Sequence, residues 1–531
     1  MSREWKKDGA AGVLRALAGV WCVGLLALLP GCPRTGAVCG EGQVACGQGC
    51  VDVTSDARHC GACGNACGER QLCQGSACAC QPGTNACASG CADLLTDAQN
   101  CGICGNACAA GEVCESGGCQ VSCTTQGTSR CGRSCVNLQT DPAHCGLCDN
   151  ACPDVQTCRA GGCGYDVVAA CFNSGQLRGV QAGADLVGPL VASAPNPQAL
   201  ARVDRHVLLV GDALAREIYQ ANTRSLALYP PRTASGSDVR HILVEDPYAY
   251  VVEDGTHTLQ VLRREGTAQG GGYRYVVVNQ VNLGANSYPQ AIARVGAELF
   301  IPLFGGFGSQ GEAVGQKVVR VNVTDPANPV VGEPIDLSGV DLKPFAGGRS
   351  IPRPSWILSR NGKLYVPLNN LRSDYSPGGP GLLARIDPAT REVTAIDLGE
   401  GCLNAGYVGA AGDRLLVSCG GQTDYSVSPP RVAKTGVVLL GADDQRASFA
   451  SLECPAGQAG CASASAYHLA VAGDRVYVGD ATQGRLFVLE LVNGQLVERR
   501  GFHGASEGGQ PIAACPPGPF GGLVSDIIAL P

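Results

Sequence analysis

Basic residues are sparse in this sequence and nowhere form a run. Its 531 residues include 39 lysines and arginines against 46 aspartates and glutamates, which gives a formal net charge of −7. Nucleic-acid binding relies on clustered lysine and arginine side chains that neutralise phosphates. The sequence therefore predicts a protein that does not bind nucleic acid.

Catalytic signatures are missing as well. The chain contains no HExxH helix, no phosphate-binding loop and no paired HxH ligands. These absences remove the motif-based arguments for the common metal-dependent and nucleotide-dependent enzymes. A non-enzymatic role is favoured, although the sequence leaves an enzyme open.

Cysteine is abundant instead, and it is unevenly distributed. Of 32 cysteines, 26 lie between Cys32 and Cys171, and only five follow. The composition therefore changes near residue 164, which predicts at least two modules.

The N-terminus predicts export. Three basic residues within the first seven positions precede an apolar run over 16–29, and Cys32 follows shortly after. This is the layout of a secretory signal, and the run is short for a resident transmembrane helix. The stretch "LLALLPGC" resembles the lipobox of bacterial lipoproteins, although Pro30 departs from the usual small residue. The resemblance implies a signal peptide over 1–31, acylation of Cys32, an anchor linker over 32–38 and an outer-membrane location.

One spacing of eight cysteines occurs three times after the linker. The copies cover 39–78, 80–119 and 123–163, and their internal gaps match except for one extra residue in the first gap of the third copy. Each copy has an even number of cysteines and few large apolar side chains. We therefore expect disulfides that close within each copy and replace a hydrophobic core, in a pairing that the spacing leaves open.

A histidine beside closely spaced cysteines could also indicate zinc or redox chemistry. The three copies read "HCGACGNAC" from His59, "NCGICGNAC" from Asn100 and "HCGLCDNAC" from His144. An imidazole ligand would not be replaced freely by asparagine, so the motif is predicted to be structural. The repeats resemble the cysteine-rich repeats of secreted myxobacterial lipoproteins over 39–163, which implies location and architecture but no activity.

Residues 164–531 alternate short apolar strands with tight turns, the pattern of repeated β-hairpins. Six second strands align, namely "LLVGD" at Leu208, "AYVVE" at Ala249, "LFIPL" at Leu299, "LYVPL" at Leu364, "LLVSC" at Leu415 and "VYVGD" at Val476. A seventh copy forms only if the C-terminal "SDIIALP" joins "YDVVAAC" from Tyr165. We therefore predict an all-β protein, a seven-bladed β-propeller preceded by a disulfide-rich tandem-repeat stalk, with an open solenoid as the alternative.

The elements "PQAIARV" from Pro289 and "LYV" from Leu364 resemble those of YVTN and quinoprotein-like propellers, in which they accompany many functions. Quinoprotein dehydrogenases carry repeated tryptophan docking motifs. Trp356 is the only tryptophan after the predicted signal. That enzyme class is therefore disfavoured.

Three disulfides are expected in the propeller. Cys402 and Cys419 fall at opposite positions of one predicted hairpin. Cys171 and Cys515 occupy the equivalent positions where the chain ends meet, so a bridge there would close the ring. Cys454 and Cys461 remain for each other.

One face of the predicted propeller carries long loops, over 304–315, 369–380 and 420–434. Long loops on a rigid scaffold often carry binding sites. Polar and aromatic residues at strand ends of the same face are candidates for a ligand site: Gln198, Asp212, Arg240, His241, Glu253, Gln290, Trp356, Tyr407, His468, Asp480 and Asp526. The acids could hold a cation such as Ca²⁺, and Arg240 could bind an anion. The alternative is that these side chains only satisfy turns, and no other cofactor is expected.

These features together predict a lipid-anchored envelope protein on the periplasmic or the cell-surface side. Its propeller would bind an envelope protein or a polysaccharide through the long-loop face. The alternative is a metal-dependent, lactonase-like hydrolase in which acids from several blades, among them Asp212, Glu253, Asp480 and Asp526, converge on a metal.

Overall fold

The structure is a computed structural model, and it describes residues 39, 43–47, 49–120, 123, 125–153, 156–346, 349–427, 431–455, 464–503, 509–516 and 522–530. The predicted signal peptide, Cys32 and its linker lie outside these residues. Almost all regular structure is β, and the described helix is Gly308–Val314. None of the described helices is long and apolar enough to cross a membrane. The chain forms two compact units that divide between Ala107 and Cys108.

The first unit consists of short antiparallel hairpins. Its strands are Val44–Cys46 with Gly49–Val51, Gln71–Gln74 with Ala77–Cys80, and Asn85–Cys87 with Gly90–Ala92. Strands of three or four residues place only one or two side chains on each face. They cannot build a hydrophobic core by themselves.

The repeat strands of the second unit are equally short. They are Val113–Glu115, Gly118–Gln120, Ser129–Cys131, Ser134–Val136, Thr157–Arg159 and Gly162–Gly164. The first four form one sheet, which joins the end of the second repeat to the start of the third.

Disulfides close within each repeat in a fixed order: first to third, second to fifth, fourth to seventh and sixth to eighth. The bridges are Cys39–Cys50, Cys46–Cys63, Cys60–Cys73 and Cys67–Cys78 in the first repeat, and Cys123–Cys135, Cys131–Cys148, Cys145–Cys158 and Cys152–Cys163 in the third. The second repeat has Cys80–Cys91, Cys87–Cys104 and Cys108–Cys119, and its Cys101 and Cys114 are also disulfide-bonded. The order that the spacing left open is therefore the same wherever it is described.

The histidine of the repeat motif has a structural role. His59 accepts a hydrogen bond at Nδ1 from the Gly64 amide at 2.9 Å, and His144 accepts one from the Asp149 amide at 3.0 Å. Asn100 does the same through its side-chain oxygen, at 2.8 Å from the Gly105 amide. Both residue types thus supply one acceptor to the same turn, which explains why they interchange between copies.

Seven antiparallel sheets of four or five strands follow the repeats in the described residues. Sheet 1 contains Val167–Phe172, Gln176–Gln181, Leu186–Ala192 and the C-terminal Leu523–Ala529. Sheet 2 contains Pro197–Arg202, Val207–Asp212, Glu217–Asn222 and Thr233–Ala234. Sheet 3 contains Val239–Glu245, Tyr248–Glu253, Thr258–Thr267 and Tyr273–Asn282.

Sheets 4 to 7 repeat the same up-and-down order. Sheet 4 contains Ala293–Val295, Glu298–Leu303, Lys317–Asn322, Val330–Val331 and Ile335–Asp336. Sheet 5 contains Leu358–Arg360, Lys363–Leu368, Leu382–Ile386 and Val393–Asp397. Sheet 6 contains Ala405–Ala411, Arg414–Cys419, Gly436–Leu440 and Arg446–Ser451. Sheet 7 contains Ala466–Ala472, Arg475–Asp480, Arg485–Val492, Gln495–Arg500 and Ile512–Ala513.

The sheets form a ring, because a separate hydrophobic cluster lies between each sheet and the next. Successive side chains along one strand pack alternately against the preceding sheet and the following sheet. In sheet 1, Val168 packs towards Leu208 of sheet 2, whereas Val167 packs towards Val488 of sheet 7. Burying a side chain of this size stabilises the fold by roughly 1.5–3 kcal/mol. The architecture is that of a β-propeller.

The two ends of the propeller chain meet in sheet 1. Leu523–Ala529 pairs antiparallel with Val167–Phe172. A disulfide joins Cys171 to Cys515, and another joins Cys402 to Cys419 in sheet 6. Cys454 is disulfide-bonded, while its expected partner Cys461 lies outside the described residues.

The third repeat is fixed to the propeller through Asp166. The Asp166 carboxylate lies 2.6 Å from Arg159 and 2.8 Å from the Thr157 hydroxyl, and its other oxygen accepts the Ala182 amide. Arg159 also donates to the Leu530 carbonyl. Because these bonds hold the third repeat in the second unit, the compact division lies inside the second repeat and not at residue 164.

Candidate functional site

The long loops are built on a packed base. The loop over 304–315 contains the short helix, and the loop over 420–434 contains a hairpin of Gln422–Asp424 and Arg431–Ala433. Arg353 is fully buried beside the first of these loops and donates to the carbonyls of Phe304 and Gly306 at 3.0 and 3.2 Å. Its guanidinium lies 4.3 Å from the ring centre of Tyr375, and burial lowers its pKa. We call the surface formed by 304–315, 369–380 and 420–434 the loop face.

A cavity of about 460 Å³ opens at the centre of the ring. Its walls come from residues in or next to the strands of every sheet except sheet 6: Phe172, Gln198, Ala213, Leu214, Ser237, Asp238, Arg240, Gln290, Ser355, Trp356, Tyr467, His468, Ala481, Leu523, Val524 and Ser525. This volume falls within the range of small-molecule sites, about 300–1,000 Å³. Five of the candidates from the sequence therefore line one cavity: Gln198, Arg240, Gln290, Trp356 and His468.

The cavity residues Trp356 and His468 pack in a cluster of rings with His241 and Tyr407, which lie outside the cavity lining. The Trp356 ring centre lies 4.7 Å from that of His241, 4.5 Å from Tyr407 and 5.0 Å from His468. His241 accepts the Ile292 amide at Nδ1, and burial lowers its pKa to about 4. The imidazole of His241 is therefore neutral at neutral pH.

His468 is oriented by a carboxylate. Its Nδ1 lies 2.5 Å from Asp526 Oδ1, and both side chains are buried. The other oxygen of Asp526 accepts the Leu200 amide at 2.7 Å. Asp526 therefore holds the ring of His468 in place at the wall of the cavity.

Arg240 is held between two carboxylates. Its Nε donates to Asp254 Oδ2 at 2.9 Å, and its Nη2 donates to Asp238 Oδ2 at 2.9 Å. Burial opposes its charge, yet the two aspartates raise the pKa of the guanidinium above its ordinary value. The anion that Arg240 was expected to bind is thus already supplied by the protein.

Three acids lie at the ends of the second strands of sheets 2, 3 and 7, and they form hydrogen bonds close to their own strands. Asp212 accepts the amides of Asn196 and Leu214. Glu253 accepts the Gly236 amide and the Thr258 hydroxyl. Asp480 Oδ2 accepts two hydrogen bonds from Arg485. None of the three acids lines the cavity.

The described residues include three close groups of possible metal ligands. Close groups of three possible ligands are formed there only by cysteines: Cys60, Cys67 and Cys78; Cys101, Cys108 and Cys119; and Cys145, Cys152 and Cys163. All nine are in disulfides and cannot act as thiolate ligands. The acids Asp212, Glu253, Asp480 and Asp526 form no such group.

Several cavity residues were not found from the sequence. Phe172, Ser237 and Tyr467 reach the cavity from positions in or next to sheets 1, 3 and 7. Asp238 and Asp254 do carry a signal, because an acid stands two residues before Arg240 and another directly follows the candidate Glu253. Whether these two acids contact Arg240 depends on the register in which the two strands of the hairpin pair, and the sequence does not show that register.

The third repeat matches a known family. Residues 116–166 match the model of the stigma-specific STIG1-like protein family. The match is confined to this segment of the chain. A search of curated proteins gave no match.

Solved structures resemble the propeller. A protein from Lactobacillus plantarum is 12% identical, with a TM-score of 0.46, and the match covers 69% of this chain and 99% of that one. BamB from Moraxella catarrhalis is 13% identical, with a TM-score of 0.37 and coverage of 66% and 86%. A Bacteroides fragilis protein provisionally assigned as a 6-phosphogluconolactonase is 11% identical, with a TM-score of 0.43 and coverage of 66% and 96%. At this level the likeness concerns the fold alone.

Proposed function

We propose that this chain is an exported, non-enzymatic binding protein of the cell envelope, anchored by lipid at Cys32. Its propeller holds a ligand in the central cavity. The disulfides support an extracytoplasmic location, because such bonds persist in oxidising compartments. The observation that supports binding most strongly is the cavity of about 460 Å³, walled by residues in or next to the strands of six of the seven sheets.

The loop face supports contact with a larger envelope component, a protein or a polysaccharide. Phe307 is 74% exposed on one long loop, and Tyr425 is 81% exposed on another. Exposed aromatic side chains on a rigid base are typical of binding surfaces.

A metal-dependent hydrolase is the alternative, and it requires acids that converge on a metal. Among the described residues, no trio of histidine, aspartate and glutamate ligands converges on one point. The acids Asp212, Glu253 and Asp480 are hydrogen-bonded within their own sheets.

Photo-crosslinking in the producing cell tests the proposal. A photoreactive phenylalanine replaces Leu214, which lines the cavity and is 69% exposed, or Val497, which is 45% exposed on an outer strand of sheet 7. We expect a discrete product, found by mass spectrometry, from position 214 and none from 497. Equal labelling at both positions, or none at 214, would contradict binding at this face.

The anchor is tested separately. Replacing Cys32 with alanine should move the protein from the membrane fraction to the soluble fraction and abolish metabolic labelling by an alkyne fatty acid, because stable anchoring requires acyl chains. A Cys32→Ala protein that still sediments with membranes would rule out this anchor.

A further inference from the structure

We infer that the ligand of the central cavity is an uncharged, hydroxyl-rich molecule with an apolar face, which is the chemistry of a neutral sugar ring. The inference rests on the proposed function, since it names the class of ligand that the same cavity takes.

The arginine at the cavity is already paired with acids. Arg240 is shared by Asp238 and Asp254, and the Asp526 carboxylate is bonded to His468. A carboxylate or phosphate ligand would have to displace two aspartates from the guanidinium. It would also meet the net negative charge of one arginine between two acids, which disfavours anions.

The groups left for a ligand are neutral. Among the described residues, none hydrogen-bonds the side chains of Gln198, Ser237 and Tyr467 or the indole of Trp356, although all four line the cavity. An amide, two hydroxyls and an indole N–H offer both donors and acceptors. A ligand rich in hydroxyl groups suits this set, because each hydroxyl can both donate and accept a hydrogen bond.

His468 adds one further polar edge. Its Nδ1 is bonded to Asp526, which leaves Nε2 as the ring nitrogen that a ligand could use. A ligand hydroxyl suits this nitrogen in either role, because a hydroxyl can both donate and accept a hydrogen bond.

The apolar part of the cavity is aromatic. Phe172, Trp356 and Tyr467 contribute ring surface, and Tyr467 lies 4.5 Å from His468. The face of an aromatic ring carries partial negative charge and attracts the polarised C–H groups of a sugar ring. Hydrogen-bond donors, hydrogen-bond acceptors and aromatic rings therefore line the same cavity.

Calorimetry on the full-length protein tests this inference. Neutral cellobiose and di-N-acetylchitobiose are titrated beside charged counterparts, a glucuronate-containing disaccharide and the deacetylated glucosamine dimer. We expect a neutral sugar to bind at least 10-fold more tightly than its charged counterpart. The tryptophan emission should change on binding, because Trp356 lines the cavity.

The matched variants are Gln198→Ala in the cavity and Gln495→Ala on an exposed outer strand. Loss of one net hydrogen bond, about 1 kcal/mol, predicts roughly 5-fold weaker sugar binding for Gln198→Ala and no change for Gln495→Ala. Equal melting temperatures show that both variants are folded.

Tighter binding of the charged sugars, or equal affinity of the two glutamine variants, would overturn the inference. If no sugar binds while position 214 still crosslinks in cells, the ligand class is wrong and the proposed function stands. If no sugar binds and position 214 gives no crosslink, both the ligand class and the proposed function are wrong.

Discussion

In the repeats over 39–163, the buried hydrophobic residues that the structure describes are nine cysteines, two alanines and two valines. In the sheets after residue 164, they are mainly valine, leucine, isoleucine and tyrosine, gathered in clusters between neighbouring sheets. The difference follows strand length. Strands of three residues offer too few side chains for a core, whereas strands of six place three on each face. One chain therefore uses two sources of stability, covalent in the repeats and hydrophobic in the propeller.

Reduction should separate the two regions most clearly. Each bridge contributes about 2–4 kcal/mol, chiefly by restricting the unfolded chain, and the repeats have almost no other core. With a strong reductant we expect amide-exchange protection, followed by mass spectrometry, to vanish over 39–163 and to persist in sheets 2 to 5. Repeats that stay protected after complete reduction would refute a disulfide-based fold.

The two described disulfides of the propeller differ in the length of chain that each one closes. Cys171–Cys515 closes a loop of 344 residues across the chain ends, whereas Cys402–Cys419 spans 17 residues within sheet 6. The chain-entropy model gives about 5–6 kcal/mol for the first and about 3 for the second. Cys171→Ala with Cys515→Ala should therefore lower the free energy of unfolding in denaturant more than Cys402→Ala with Cys419→Ala. The opposite order would mean that sheet 1 closes the ring without its bridge.

A partly buried histidine should make the propeller sensitive to acid. His241 has a pKa of about 4 in the fold because it is shielded from water, against about 6.5 for a solvated histidine. Below pH 6.5 the unfolded chain binds a proton that the folded chain does not, so stability falls between pH 6.5 and 4. We expect this histidine to account for roughly 2 kcal/mol of that loss.

The His241→Asn variant keeps an acceptor for the Ile292 amide and removes the titrating group. Its free energy of unfolding should change less between pH 7 and 4 than that of the parent. The surface variant His503→Asn is the control and should keep the parental pH profile. An unchanged profile for His241→Asn would show that other groups cause the acid sensitivity.

The repeat histidines should show the smallest effect. His59→Asn and His144→Asn retain an acceptor for the turn, as Asn100 does, and should change local stability by less than about 0.5 kcal/mol. His59→Ala removes the acceptor and should cost about 1 kcal/mol, measured as faster exchange of the Gly64 amide. Equal exchange in the Asn and Ala variants would show that the bond is unimportant.

Much of the fold was predictable because its signals are periodic. Three nearly identical cysteine spacings defined the repeats. Aligned strands such as those at Leu208 and Val476 defined the sheets, and the unmatched strands at the two ends of the propeller chain completed one more sheet. The candidate site was only partly predictable. Gln198, Arg240, Gln290, Trp356 and His468 were found because they begin first strands, while Phe172 and Tyr467 were missed.

The sequence by itself determined the two regions, the disulfide-rich repeats and the all-β class, since cysteine spacing and strand period are local in the chain. Only the tertiary structure decided the disulfide order, and only it showed that Asp166 holds the third repeat to the propeller. It also separated Asp212, Glu253 and Asp480, which form hydrogen bonds away from the cavity, from the residues that line it. Those outcomes depend on which strands lie side by side and in what register, and a pattern along one strand carries no record of its neighbours.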